Sequence, residues 1–195
     1  RKWWQFRGAE EPVFTAGPIH LVARPGEVVW LRGANGAGKT TLLRALAGLD
    51  GNPGLEKTHG ITVSLALQRA ADQLAESTVR AFVDSDEALA RLAEPAGSLP
   101  GIALDPDSHP LDLPAAHLRL VQLAQVFAQG RQLVLLDEPN VGLDAPGRER
   151  AHALIADALA NGQAIIMTCH DETFAAEVGE FGSVTAQKLL AQSYP

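Results

Sequence analysis

The stretch Gly33-Ala34-Asn35-Gly36-Ala37-Gly38-Lys39-Thr40 decides the fold. It fits G-x-x-x-x-G-K-[ST], the phosphate-binding P-loop pattern. An apolar run precedes it, Val28-Val29-Trp30-Leu31, and a helical run follows, Thr41-Leu42-Leu43-Arg44-Ala45-Leu46-Ala47. Strand, glycine loop and helix form the context that separates a P-loop from a chance match. Gly33, Gly36 and Gly38 are expected to let backbone N–H groups close around phosphate oxygens, where a Cβ would interfere. The helix start adds partial positive charge. Lys39 is expected to reach the β- and γ-phosphates, and the Thr40 hydroxyl to ligate Mg²⁺.

Bulk properties narrow the classes further. The chain has 195 residues, enough for one domain with its own core and too few for two ordinary ones. Its composition, 46% hydrophobic and 20% charged, is that of a globular protein. A net charge of −7 and the absence of any Lys/Arg run argue against a nucleic-acid surface. The single cysteine, Cys169, excludes a disulfide framework or a cysteine metal cluster and fits a reducing compartment. No apolar run approaches the ~18–20 residues that span a bilayer, and no signal peptide is visible. The first residue is Arg1 rather than methionine, which leaves open a longer parent chain.

Outward from the P-loop, the N-terminal stretch carries Trp3, Trp4 and Phe6, then turns through Gly8 to Pro12. Residues 19–23 read as a short strand ended by Pro25-Gly26, so an antiparallel flap is expected beside the main sheet. Residues 48–54 break the P-loop helix, and residues 61–67 (ITVSLAL) form a strand candidate ending at Gln68. Residues 69–114 read as helical with interruptions, with Ser77 or Thr78 capping one turn and Asp84 or Ser85 the next. Leu120, Leu123, Ala124 and Phe127 share one helix face, and Gly130 ends that helix. Leu133-Val134-Leu135-Leu136 is a doubly buried strand ending in Asp137-Glu138. A helix marked by Ala151, Leu154, Ile155, Ala158 and Leu159 closes at Asn161-Gly162. A last buried strand, residues 164–168, ends at Cys169-His170-Asp171. Strands alternating with helices imply parallel βα units.

Ligands of open α/β sheets sit at the carboxyl ends of the strands. Gln68, Asp137-Glu138 and His170 all fall at such ends. An apolar strand followed by Asp places Asp137 to hold Mg²⁺. Glu138 is the candidate to orient or deprotonate an attacking water. His170 is a candidate partner of the γ-phosphate or that water, and Gln68 of the metal or the water.

Together these residues resemble the nucleotide-binding domain of ABC (ATP-binding cassette) proteins, over nearly the whole chain. Gly33, Ala34, Asn35, Gly36, Ala37, Gly38, Lys39, Thr40 and Thr41 are similar to the family's Walker A. Gln68 resembles the Q-loop glutamine, LVLLDEP (residues 133–139) the Walker B with its catalytic glutamate, residues 140–144 the D-loop, and His170 the switch histidine. Phe6 stands where the family places an adenine-stacking ring, with Trp4 as the fallback. The resemblance implies a single α/β domain over residues 1–195. It would comprise a P-loop NTPase, RecA-like core, an antiparallel β subdomain and a small helical subdomain over about residues 69–130. It implies catalytic roles for Lys39, Glu138 and His170, and a metal site of Thr40, Gln68 and Asp137. ATP and Mg²⁺ would be its cofactors.

The family signature LSGGQ is altered to Leu113-Pro114-Ala115-Ala116-His117. In the family, the signature serine hydroxyl and glycine N–H groups bind the γ-phosphate held by the opposite subunit. Pro114 supplies neither hydroxyl nor N–H, and the methyls of Ala115 and Ala116 stand where a backbone should approach phosphate. His117 retains one possible donor. The resemblance therefore implies an asymmetric head-to-tail pair with a second ATPase domain that brings an intact signature. It also implies a transmembrane transporter subunit as partner, no nucleic acid, and a cytoplasmic place on the inner face of the membrane. Two alternatives stay open: a soluble, non-transport ABC ATPase, and a regulatory cassette that binds ATP with little turnover.

Overall fold

The P-loop strand lies inside an open parallel sheet. In the computed structural model, which describes residues 14–17, 21–49, 56–57 and 60–189, the strands run in the order β5 (Val63–Ala66), β6 (Leu133–Asp137), β7 (Ala164–Thr168), β3 (Glu27–Arg32) and β8 (Ser183–Lys188). All four pairings are parallel. A small antiparallel sheet, β2 (Leu21–Ala23), β1 (Phe14–Gly17) and β4 (Glu56–Lys57), accompanies it. The α/β architecture expected from alternating strands and helices is thus present. The readings placed on Trp3, Trp4, Phe6, Pro12, Ile19 and residues 51–54 lie outside the described residues.

The two-residue period of a strand sorts its side chains onto the two faces of the sheet. Val28, Val134, Leu136, Ile165 and Met167 join the larger apolar cluster, with residues of α2 (Val79–Val83), α3 (Asp86–Ala93), α4 (Ala115–Ala128), α5 (Ala145–Ala160) and α6 (Glu172–Val178). Val29, Leu31, Leu133, Leu135, Ala164 and Ile166 face the other way, against β2 and the P-loop helix α1 (Lys39–Leu46). Every residue of β6 and β7 is buried. Truncating one of these leucines, such as Leu135→Ala, costs about 2–5 kcal/mol.

The same alternation positions the chemistry. Asp137 continues the row Leu133, Leu135, and Thr168 continues Ala164, Ile166, so both point to the face that carries α1.

The middle third is less regular, as its proline and glycine content predicts. Between residues 69 and 114 it holds α2, α3 and two single 3-10 turns, Ala70–Gln73 and Pro110–Asp112. Thr78 rather than Ser77 caps α2, accepting from the Ala81 N–H at 3.2 Å. Ser85 rather than Asp84 caps α3, accepting from Ala88 at 3.2 Å. Buried Arg150 of α5 reaches under α3, donating to the carbonyls of Glu94 at 2.8 Å and Pro100 at 2.6 Å. At Gly101 a Cβ would stand 1.8 Å from the Ala93 carbonyl oxygen, so only glycine fits there.

β8 is an element the sequence reading does not name. Its segment SVTAQK has no apolar run, because an edge strand with four exposed residues needs none. It pairs with β3 along its whole length, Glu27↔Ser183 to Arg32↔Lys188.

Candidate functional site

The site forms where β3, β7 and β6 end side by side. The loop after β3 turns through Gly36 (φ 81°) and Gly38 (φ 86°), left-handed conformations that favour glycine. A Cβ on either would meet nothing within 4 Å, so their demand is conformational and the space above them is open. Gly33 is different. A Cβ there would lie 2.8 Å from the Leu189 carbonyl oxygen, so this glycine is required by packing beyond the end of β8. Of the three loop glycines, Gly36 and Gly38 have left-handed φ values and Gly33 is held by packing.

Lys39 is buried, and its Nζ donates to the carbonyls of Gly33 at 2.7 Å and Ala34 at 3.1 Å. The ammonium is thereby held at the inner rim of the loop, while Ala34, Asn35, Gly36, Thr40 and Thr41 are exposed.

Thr40 Oγ1 donates to Asp137 Oδ2 at 2.8 Å, joining the first turn of α1 to the end of β6 across β7. The other carboxylate oxygen accepts from Thr168 Oγ1 at 2.7 Å. Thr168 Oγ1 in turn accepts from the Glu138 N–H at 3.0 Å. Thr168 is fully buried and orients both acidic residues, a role the sequence reading missed. Its signal was available: it is the polar last residue of an otherwise apolar strand, register-paired with Asp137.

Glu138 has φ 51°, unusual for a residue with a side chain. Such an outlier persists only where its surroundings hold it, and here they turn the carboxylate toward the next strand end. Glu138 Oε2 accepts from the His170 N–H at 3.2 Å. Glu138 Oε1 is buried without a hydrogen-bond partner among the described residues, although His170 Nε2 stands 3.2 Å away, off the hydrogen-bonding direction. A buried, unpartnered carboxylate oxygen is a costly feature, suited to accept a proton or hydrogen bond from a reactant.

His170 is half exposed and is held from both sides. Trp30 Nε1 donates to the Cys169 carbonyl at 3.0 Å. On the far side, Asp171 caps α6 through the Phe174 N–H at 3.0 Å and pairs with Arg148 of α5 at 2.5 Å. The hydrogen bond from Arg148 holds the Asp171 carboxyl below its usual range. Cys169 Sγ donates to Asn140 Oδ1 at 3.2 Å, and burial pushes this thiol up to about 12.

Gln68 lies just beyond β5, whose last residue Ala66 pairs with Leu136, so it reaches the same edge as Asp137 and Glu138. Its side chain is exposed. Its backbone carbonyl accepts from the guanidinium of Arg119 on α4. Phe6 lies outside the described residues.

Hard oxygen ligands suit Mg²⁺, which usually takes one or two protein groups and completes its shell from phosphates and water. The Thr40 hydroxyl and Asp137 carboxylate, 2.8 Å apart beside the P-loop, fit that donor set. Among the described residues no group of three or more His, Cys, Asp or Glu is arranged to hold a metal ion.

The altered segment, residues 113–117, leads from the 3-10 turn Pro110–Asp112 into α4. Pro114 and Ala115 are exposed at the start of α4. No side chain caps that end, and the Pro114 carbonyl accepts from the Leu118 N–H at 2.9 Å.

Comparison with known proteins gives the family. A family profile described as ABC transporter matches residues 17–141. The chain is 36% identical over 183 residues to an ABC transporter ATP-binding protein of Streptomyces avermitilis, covering 82% of this chain and 32% of that protein. It is 34% identical over 172 residues to the cytochrome c biogenesis ATP-binding export protein CcmA of Hyphomonas neptunium, covering 78% and 80%. The chain thus spans about a third of the Streptomyces relative and four fifths of the Hyphomonas one. Among solved structures, the dimeric post-hydrolysis state of the ATP-binding cassette MJ0796 bound to ADP and Pi matches with a TM-score of 0.69. That match has 19% identity and covers 89% of this chain and 87% of that one.

Proposed function

The chain belongs to the ABC transporter family, whose ATP-binding proteins are ATPases, and we propose that it binds and hydrolyses Mg·ATP as the motor of a membrane transporter. The observation that carries this reading is the strand-end constellation. Thr40, Asp137, Thr168, Glu138 and His170, from three separate segments, converge through contacts of 2.7–3.2 Å beside a P-loop. Residues 33–41 cradle the phosphates, with Lys39 exchanging its loop carbonyls for phosphate oxygens. Thr40, Asp137 and Gln68 hold Mg²⁺. When bound, the ion neutralises charge on the phosphates.

Glu138 serves the water. Its buried Oε1 accepts a proton from the attacking molecule as oxygen approaches the γ-phosphorus, and ADP leaves on the far side. His170, 3.2 Å away, is placed to donate to the γ-phosphate or to that water. Phe6 stacks on the adenine. Residues 69–130 form a helical subdomain within one domain spanning residues 1–195.

The pairing is asymmetric. The segment 113–117 gives a partner's γ-phosphate neither the serine hydroxyl nor a glycine approach, so a second ATPase domain with an intact signature completes the site built on Lys39, Glu138 and His170. The transporter's membrane subunit is a separate partner. A peripheral place on the inner membrane face goes with that partner; no helix among the described residues is long and apolar enough to cross a membrane. The reading of a low-turnover regulatory cassette draws on the altered segment alone. Intact Glu138 and His170 weigh against it.

The test is ATP turnover of the chain alone and with co-purified partners. Turnover is expected only with a second ATPase domain, and it disappears in Glu138→Gln. Turnover by the chain alone at the paired rate, abolished by the same substitution, would overturn the asymmetric pair.

A further inference from the structure

Arg119 is a buried cation that the chemistry above leaves unused. It is 4% exposed, one turn into α4 from the altered segment. Among the described residues it forms no salt bridge. Its guanidinium instead donates to three backbone carbonyls from two loops. Nη1 bonds Leu67 at 2.9 Å, Nη2 bonds Gln68, and Nε bonds Val141 at 3.3 Å. Nη1 also donates to Gln122 Oε1 at 2.6 Å.

Gln122, fully buried, passes the contact on. Its Nε2 donates to the Leu67 carbonyl at 2.9 Å and to Gln73 Oε1 at 2.6 Å. Gln73 closes the ring, donating to the Leu65 carbonyl at 2.7 Å and accepting from the Leu67 N–H at 2.8 Å. The end of β5 is thus clasped on several sides, and the loop after β6 is tied to it through one side chain.

Burying an unpaired guanidinium costs several kcal/mol, and an apolar residue would fill the space without that penalty. Burial pushes its pKa down to about 10, with Asp137 and Glu138 nearby opposing the shift, so it stays charged at neutral pH. A planar fork of five donors is what bridging two loops requires, since the single ammonium of lysine has no such spread.

We propose that Arg119 is a positioning residue for hydrolysis, latching the Gln68 loop to the 139–144 loop so that the two move as one unit. Val141, 42% exposed, sits in that second loop. The latch therefore makes the geometry of Gln68 depend on whatever engages residues 140–144. This rests on the reading above, in which Gln68 contributes to the hydrolytic site and residues 140–144 meet the partner domain.

The experiment is hydrogen–deuterium exchange on the full chain, wild type against Arg119→Met and Arg119→Lys, followed by turnover of each with the partner. Both substitutions are expected to speed exchange at Leu67 and at Val141 and Leu143 together, by about tenfold or more, with β7 changed less than twofold. In turnover, kcat falls about tenfold with KM unchanged. Loosening of one loop alone, loss of protection across the whole sheet, wild-type exchange in Arg119→Lys, or unaltered kcat with both loops loosened each overturns the latch. If Arg119→Met does not fold, Arg119→Lys decides. Absence of turnover in the wild type with any partner would sink the hydrolytic reading instead, while the exchange result still tells whether the loops are joined.

Discussion

Two regions of this chain, the strand ends around Asp137 and the segment 113–117, are built differently. The strand-end half is buried and internally bonded: Asp137 and Glu138 are 2% and 6% exposed, and Thr168 orients both. The 113–117 half is an exposed helix start with no side-chain cap. The first is held by hydrogen bonds among its own buried residues, the kind of fixed polar arrangement that favours a charged transition state. The second carries proline and alanines in place of a serine hydroxyl and glycines.

The sharpest way to break that contrast is Glu138→Gln. It should lower turnover with the partner by about 10²–10⁴-fold, the range for losing a general base. ATP affinity, read by fluorescent nucleotide titration, should stay within about threefold. A parallel loss of affinity would mean that Glu138 serves binding.

Repairing the other half is the next largest effect. Pro114→Ser, Ala115→Gly, Ala116→Gly and His117→Gln combined should let the chain alone form an ATP-dependent dimer and gain at least about tenfold in turnover, since each restored donor to a developing charge is worth about that or more. Gel filtration with ATP in the Glu138→Gln background reads the dimer separately.

Thr168→Val probes the preorganisation itself. The swap keeps volume but strands Asp137 Oδ1, costing about 1–3 kcal/mol in chemical denaturation. A single change in the exposed half, Ala115→Ser, should stay within about 0.5 kcal/mol.

Smaller effects come from the support behind His170. His152 packs 4.4 Å from Phe174 with Nε2 3.4 Å from Glu177 Oε2 but making no hydrogen bond, and burial lowers its pKa from 6.5. Its folded form binds a proton less readily than the unfolded chain. The stability it contributes is full above pH 6.5 and falls as pH drops below that value. His152→Phe should flatten this acid limb in pH-dependent melting. Cys169, with its thiol pushed up to about 12, should resist alkylation at neutral pH in the folded chain and react in denaturant, as peptide mass mapping would read.

Much of the fold and part of the site were legible because their causes are local. The P-loop spacing, the apolar strands before Asp137 and Cys169, and the stops at Gly130 and Gly162 each lie within a few consecutive residues. Both glycines indeed take left-handed φ values of 60° and 81°. The cap choices at residues 77–78 and 84–85 were readable only as pairs, because neighbouring polar residues have similar capping chemistry. β8 stayed hidden since an exposed edge carries little apolar pattern.

By itself, then, the sequence determined which side chains could bind phosphate and metal, and which strands would be buried. Local periodicity and backbone chemistry suffice for that. Tertiary structure alone decided the strand order and the meeting of Thr40 with Asp137, 97 residues apart. It alone turned Thr168 into a shared orienter, and made Arg119 the buried tie between loops 52 and 22 residues away. Such contacts depend on which strands become neighbours, and that depends on how the whole set of apolar faces is buried at once.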